Sequence, residues 1–280
     1  MPDSQPLKLF IIYAREDQSA LLELKAHLRP LEKRGDLTVW YDGEILPGQD
    51  WDKAIKEQLA TADIVLLFIS KHFFNSEYIE KEELKKALER HKKGEAVVVP
   101  VIVKPCLWDA HGEIVALQVL PKDGRPVSSW RDADEAFTDV AKGVQNLMLE
   151  RKNAMESKIV AEKVEEAAKA FTKYQYEKAF SLLTWLITSK YSLNPRGCNL
   201  LGLLYNEGKC VTQNYSEAVK WYQKAAEQGN VNGQINLAFM YEKGLGVERN
   251  ISTAVSWYTQ AAKQGDEDAK YALKRLGYSE

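Results

Sequence analysis

Few side chains in this 280-residue sequence are spaced for chemistry, and those few lie in its first half. After the apolar run IVLLFIS, Ile64 to Ser70, the segment EYIEKEELKKALERH presents Tyr78 and then three carboxylates close together, Glu80, Glu82 and Glu83. Grouped carboxylates can steady a developing positive charge. Glu80, Glu82, Glu83, Lys85 and Lys86 also suit a solvated helix face with ion pairs three and four apart, each worth only about 0.2–0.5 kcal/mol. The other candidates stand singly at or near the ends of apolar runs. Arg15 is a charge-assisted donor for an anion or a surface ion-pair partner. Trp40 is a stacking ring or a core residue, Asp42 an acceptor or a cap for its own turn, and Ser70 a hydroxyl for a ligand or for the backbone.

Several chemistries are excluded by what is missing. Cys106, Cys198 and Cys210 are too scattered for a disulfide framework or a zinc site, and His27, His72, His91 and His111 lack ligand spacing, so no structural metal is expected. No glycine fingerprint of a phosphate loop or an ordinary dinucleotide fold occurs. A phosphoacceptor domain would use Glu16 and Asp17 as its acidic pair, but Ser70 stands where its phosphorylated aspartate should be. The formal charge of −2, with acids and bases mixed, gives no footprint for nucleic acid. No apolar run approaches the roughly 20 residues of a membrane span, and MPDSQPLKLF does not read as a signal peptide; a cytoplasmic protein without a membrane partner is expected.

The elements that must position these residues alternate in type. Leu7 to Tyr13 reads as a strand, and Leu21, Leu24, Leu28 and Leu31 recur at helical spacing until Gly35 stops them. Leu37 to Trp40 is the next strand, the turn-rich YDGEILPGQD follows, and a helix runs from Trp51 to about Ala62. The unbroken runs IVLLFIS and VVVPVIV suit strands covered on both faces. Strands alternating with helices predict a parallel sheet clad on both sides, with PVSSW as a short fifth strand and Phe137, Val140, Val144 and Leu147 on one face of a closing helix. In such a sheet ligands sit beyond the carboxyl ends of the strands, so Arg15, the Asp42 to Gly48 loop and Ser70 are expected around one cleft.

The second half is organised by repetition. Tyr205 and Tyr241, Gly208 and Gly244, Trp221 and Trp257, and Gly229 and Gly265 are each 36 residues apart, which predicts stacked helical hairpins. The stretch from Glu150 to Lys190 has no Pro or Gly and reads as a stiff helical connection; within it AAKAFTKYQYEKAFSLL looks like a degenerate first repeat. The expected organisation is a tail over 1–6, an α/β domain over 7–149, a helical connector over 150–191 and repeats over 192–280.

The motifs Leu201-Gly202, Tyr205, Gly208, Ala218, Trp221-Tyr222 and Gln228-Gly229, matched from Leu237 to Gly265 with Ala238 replacing the first Gly, resemble Sel-like repeats, relatives of the tetratricopeptide family. The segments LFIIYAREDQ, VWYDGEILPGQDW, IVLLFISKHFFNSEYIEKEELKKALERH and VVVPVIVKPCLW resemble, in order, those of bacterial Toll/interleukin-1 receptor (TIR) domains. Ile12, where many relatives have Ser, is a departure that touches packing more than reaction. The resemblance implies a flavodoxin-like parallel sheet followed by an all-α solenoid.

It also leaves two jobs open: a scaffold that binds other TIR domains, or an enzyme that cleaves the nicotinamide–ribose bond of NAD. The enzyme needs no cofactor, NAD being the substrate, and no metal, because nicotinamide leaves as a neutral molecule while positive charge grows on the ribose. A carboxylate that stabilises that charge is the required group, as in glycosidases. In the family it follows an aromatic residue, here Tyr78. A spacing of four gives Glu82; a spacing of five, the pattern of the subgroup this segment resembles most, gives Glu83, which is the residue assigned. Arg15 would then meet the pyrophosphate, Asp42 a ribose, Trp40 a ring, and Ser70 the ligand's edge. The reading is a bacterial immune or stress effector, an NAD glycohydrolase gated by TIR self-association, whose repeats take an unidentified trigger.

Overall fold

A computed structural model defines the fold and describes residues 5–278; residues 1–4 of the expected N-terminal tail and the final two residues lie outside the described part. The chain forms two compact units that divide between Ala154 and Met155.

The first unit is a four-stranded parallel sheet in the order β2-β1-β3-β4, built from β1 (Leu7–Ile12), β2 (Leu37–Trp40), β3 (Ile64–Ile69) and β4 (Val97–Ile102). Between the strands run α1 (Gln18–Lys33), α2 (Trp51–Thr61), the short α3 (Lys71–Phe74) and a helix in two parts, a π-turn at Ile79–Leu84 continuing as α4 (Lys85–Lys92). After β4 come the short α5 (Gly112–Val115) and the long α6 (Ala133–Thr172). Period-two alternation decides which core each strand residue joins. Leu9, Ile11, Leu66, Phe68, Val99 and Val101 pack with Leu21, Leu24 and Leu28 of α1 and with Phe137, Val140 and Val144. Phe10, Ile12, Val65, Leu67, Val98 and Ile102 pack on the other face with Ile55 and Leu59 of α2 and Ala87 and Leu88 of α4. Every residue of β3 is buried, as its unbroken apolar sequence requires.

The expected fifth strand does not form. Val127–Ser129 is a 3-10 turn, and the edge of β4 is met instead by a single bridge, with Leu120 N–H donating to Pro100 and Ile102 N–H donating to Leu120. PVSSW begins with Pro126, which cannot donate to a ladder, and only Val127 in it is buried.

The second unit is all helix: the last turns of α6, then α7 (Tyr176–Thr188), α8 (Pro195–Glu207), α9 (Tyr215–Glu227), α10 (Val231–Lys243), α11 (Ile251–Lys263) and α12 (Glu267–Arg275). Asn194, Asn214, Asn230, Asn250 and Asp266 each cap a helix start by accepting from the backbone N–H three residues on. The stiff helix expected from 150 to 190 is broken. Tyr174 turns left-handed at φ 60°, Gln175 N–H reaches back to the Ala170 carbonyl, and α7 runs back. Val160, Val164 and Ala167 of α6 then pack with Leu183 and Leu186 of α7 and with Leu201 and Leu204 of α8. These residues are thus the first hairpin of the stack.

Candidate functional site

A cavity of about 440 Å³ opens at the carboxyl ends of the strands, lined by Tyr13, Ala14 and Arg15 after β1, Asp42 after β2, Trp51 of α2, and His72, Asn75, Tyr78 and Glu83 after β3. The loop from Asp42 to Gln49 encloses a second space of about 510 Å³ that shares Tyr13, Arg15, Asp42 and Trp51 with the first.

Glu83 is the chemically unusual member. It is 7 % exposed, and among the described residues no hydrogen bond or ion pair reaches its carboxylate. Burial, and secondarily the Asp42 carboxylate, push its pKa from 4.5 up to about 8. Its orientation comes from the π-turn. One extra residue in the helical turn lets a position five after Tyr78 enter the cavity. Glu82, the alternative carboxylate, is half exposed and pairs with Lys56 at 3.3 Å.

Tyr78 feels both of these glutamates. Its hydroxyl donates to Asp52 Oδ1 at 2.8 Å, and its ring lies 4.5 Å from that of Trp51. Burial, then Asp52, pushes the Tyr78 phenol upward, and Tyr13 is shifted the same way by burial and the neighbouring Asp42 carboxylate. Both phenols therefore stay protonated donors.

Two expected ligand contacts are placed elsewhere. Ser70 is fully buried; its Oγ donates to Asp17 Oδ2 at 2.5 Å and accepts from the backbone N–H groups of His72 and Phe73, capping α3. Trp40 stacks on Phe10 at 4.9 Å and belongs to the core, not to the cavity. Arg15, Asp42, Tyr78 and Glu83 are brought together; Glu82, Ser70 and Trp40 are not. Sequence reasoning passed over Tyr13, Trp51, His72 and Asn75. The signal for Tyr13 was its place at a strand end; Trp51, at the start of α2, is 37 % exposed at the cavity.

Beneath the cavity Asp17, with no exposure, holds three strand ends in register: its Oδ1 meets Lys104 Nζ at 2.7 Å after β4, and its Oδ2 takes the Ser70 hydroxyl after β3. Fixing Asp17 fixes the adjacent Arg15 and Glu16 at the mouth. No group of His, Cys, Asp and Glu suited to hold a metal occurs among the described residues, and the three cysteines are free. No helix among them is long and apolar enough to cross a membrane.

Comparison with known proteins matches both halves. Residues 9–139 match the TIR domain family, and residues 195–230 and 231–266 each match the Sel1 repeat. An uncharacterized protein of Sinorhizobium fredii, y4lF, is 38 % identical over 137 residues, covering 49 % of this chain and 42 % of that protein. The chain thus spans under half the length of that curated relative. Among solved structures, a Sel1 repeat protein from Oxalobacter formigenes shares 38 % identity over 40 % of this chain and 45 % of that one, with a TM-score of 0.38. Cysteine rich protein B of Helicobacter pylori shares 24 % identity over 38 % of this chain and 93 % of that one, with a TM-score of 0.30. The chain carries a TIR domain followed by two Sel1 repeats.

Proposed function

We propose that this TIR–Sel1 chain is an NAD glycohydrolase whose catalytic carboxylate is Glu83. The observation that carries the reading is a buried glutamate without a partner, in a cavity that also holds Arg15 and Asp42. The C1′–N bond of NAD breaks with its electron pair leaving on the nicotinamide nitrogen, which thereby becomes neutral. Glu83 faces the oxocarbenium that this leaves on the ribose, Arg15 takes the pyrophosphate, Asp42 orients a ribose hydroxyl, and water adds to C1′ and gives up its proton. A carboxylate in a low-dielectric wall opposes such a charge more strongly than one in water. In the free protein Glu83 binds its proton up to about pH 8; a cationic pyridinium beside it favours the ionised form.

The reading extends to regulation. Self-association through the TIR domain completes or steadies the site, the repeats take the trigger or organise the assembly, and the biological setting is bacterial antiphage or stress defence. A second reading, a non-enzymatic TIR scaffold, draws support from Leu46, 65 % exposed on the loop after β2. Full-length protein incubated with NAD, with and without a crowding agent, tests the first reading by free nicotinamide. Release above the Glu83→Gln background supports it; a folded, assembled protein that releases none selects the scaffold.

A further inference from the structure

We infer that Asp52, outside the cavity lining, is a positioning residue that fixes the π-turn through Tyr78 so that Glu83, and not Glu82, is presented to the cavity. This rests on the role proposed for Glu83. Sequence spacing leaves two registers open, because a helix can bring either the fourth or the fifth residue after Tyr78 to the same side, depending on whether it is wound as α or π. Something outside the turn must select one.

The selecting contacts come from α2. Asp52 Oδ1 accepts from the Tyr78 hydroxyl at 2.8 Å, while Asp52 Oδ2 is held by Lys56 Nζ at 2.9 Å. The same Lys56 Nζ reaches Glu82 Oε2 at 3.3 Å, and Trp51 lies against the Tyr78 ring. One edge of α2 therefore grips the turn at residue 78 and again at residue 82. With both pinned, the wider π-turn carries Glu83 to the cavity wall that holds Asp42 and Tyr78, where it still borders Ile55 and Leu59 of α2. The Lys56–Glu82 pair is half exposed, and an isolated pair of that kind contributes little. The Tyr78–Asp52 bond is partly buried and charge-assisted, which makes it the stronger of the two holds. Asp52 and Trp51 open α2 directly after the loop from Asp42 to Asp50, so this grip also joins that loop to the turn carrying Glu83.

The test uses the full chain with Asp52→Ala, Asp52→Asn, Tyr78→Phe and the Asp52→Ala/Tyr78→Phe double variant. Two readouts are taken: kcat and KM for nicotinamide release, and the carboxyl titration of Glu83 by carbon-13 NMR, assigned with Glu83→Gln. Asp52→Ala and Tyr78→Phe should each lower kcat about 10-fold with KM changed by no more than about 2-fold, the signature of a misplaced reacting group. The double variant should lose no more than either single one, because both remove the same bond. Asp52→Asn keeps an acceptor for the Tyr78 hydroxyl and should retain most of the rate. The Glu83 midpoint should fall toward the ordinary carboxylate range in Asp52→Ala and Tyr78→Phe, but not in Asp52→Asn. Additive losses, or a titration unmoved in both single variants, would overturn the inference. A wild-type chain that does not cleave NAD would sink the proposed function, while the titration would still decide whether Asp52 positions Glu83.

Discussion

Among the described residues each unit buries one glutamate, and the two are treated in opposite ways. Glu242 in α10, 4 % exposed, meets the Arg275 guanidinium at 2.9 and 2.6 Å and receives the Tyr258 hydroxyl at 3.2 Å. The hydrogen bond from Arg275 leads the causes that hold its pKa down at about 2. Glu83 is equally removed from water but has no such cation, and its pKa goes the other way, to about 8. A buried charge left unpaired is costly. The repeat unit meets that cost with a network that ties α12 to α10 and α11; the TIR unit avoids it by holding Glu83 protonated up to about pH 8 beside a cavity. The contrast separates a carboxylate paired for packing from one left unpaired beside a cavity.

Exchanging each carboxylate for its amide sharpens the contrast. Glu83→Gln should reduce nicotinamide release by about 10²-fold or more, the scale of losing a transition-state electrostatic contact, with circular dichroism unchanged. Glu82→Gln should cost far less. If Glu82→Gln abolishes the reaction and Glu83→Gln does not, the π-turn register has been misjudged.

Glu242→Gln should do the reverse. Glu242 is buried while Arg275 stays about two-fifths exposed, so solvent screens the loss, and the repeat unit should lose about 1–2 kcal/mol of stability in denaturant titrations. Clustered TIR units should turn over NAD at the wild-type rate. A loss of turnover at temperatures where the Glu242→Gln repeats stay folded would show that the repeats reach into the chemistry.

Opposite pKa shifts also predict opposite pH windows. The folded-state pKa of Glu83 is raised above its unfolded value of 4.5, so its contribution is fully present below about 4.5 and is lost as pH rises through about 8. Glu242 is depressed, so its contribution is present above about 4.5 and is lost as pH falls toward 2. Glu83→Gln should therefore stabilise the TIR unit at pH 9 relative to wild type, by roughly 1–3 kcal/mol, and leave it unchanged at pH 4. The kcat/KM for NAD should climb through an apparent pKa near 8, with kcat rising at lower pH because the bound cation favours the ionised carboxylate. A flat profile between pH 6 and 9 would count against Glu83 as the ionised group.

The two units also differed in how far the sequence disclosed them. The sheet and its cladding follow from apolar runs and the leucine spacing of α1, and the repeats from a 36-residue period. What escaped was set by local backbone without a residue-type signal. Tyr174, Cys210 and Gly246 stand 36 apart and all adopt positive φ, yet only the last is the residue that favours it. The degenerate repeat around Tyr174 was read from AAKAFTKYQYEKAFSLL, but the break that turns it into a hairpin was not, and the stretch was read as one stiff helix. Glu83 was named from a family spacing, but its burial depends on a π-turn that no periodicity rule anticipates. Ser70 stayed open in the sequence between ligand and backbone, because a strand-end hydroxyl can cap the next helix as readily as face a ligand, and only Asp17 behind it decides.

The smallest expected effect concerns the loop between β2 and α2. Of its two apolar residues, Ile45 packs against the core and Leu46 projects, at 65 % exposure. A single leucine contributes about 1–2 kcal/mol when buried at an interface, so Leu46→Asp should weaken TIR self-association by roughly 10-fold. Because the loop ends on Trp51 and Asp52, which hold Tyr78, the assembled form should differ from the free chain in the positioning of Glu83 as well as in proximity. Sedimentation at matched concentrations reads the assembly; NAD cleavage over the same series reads the site. If Leu46→Asp shifts the concentration midpoint of both together, with the same plateau rate, the loop acts through assembly alone. If the plateau also falls, the loop contributes to the site through the grip of α2 on the π-turn. An unchanged midpoint would remove Leu46 from the contact and leave self-association to another face of the domain.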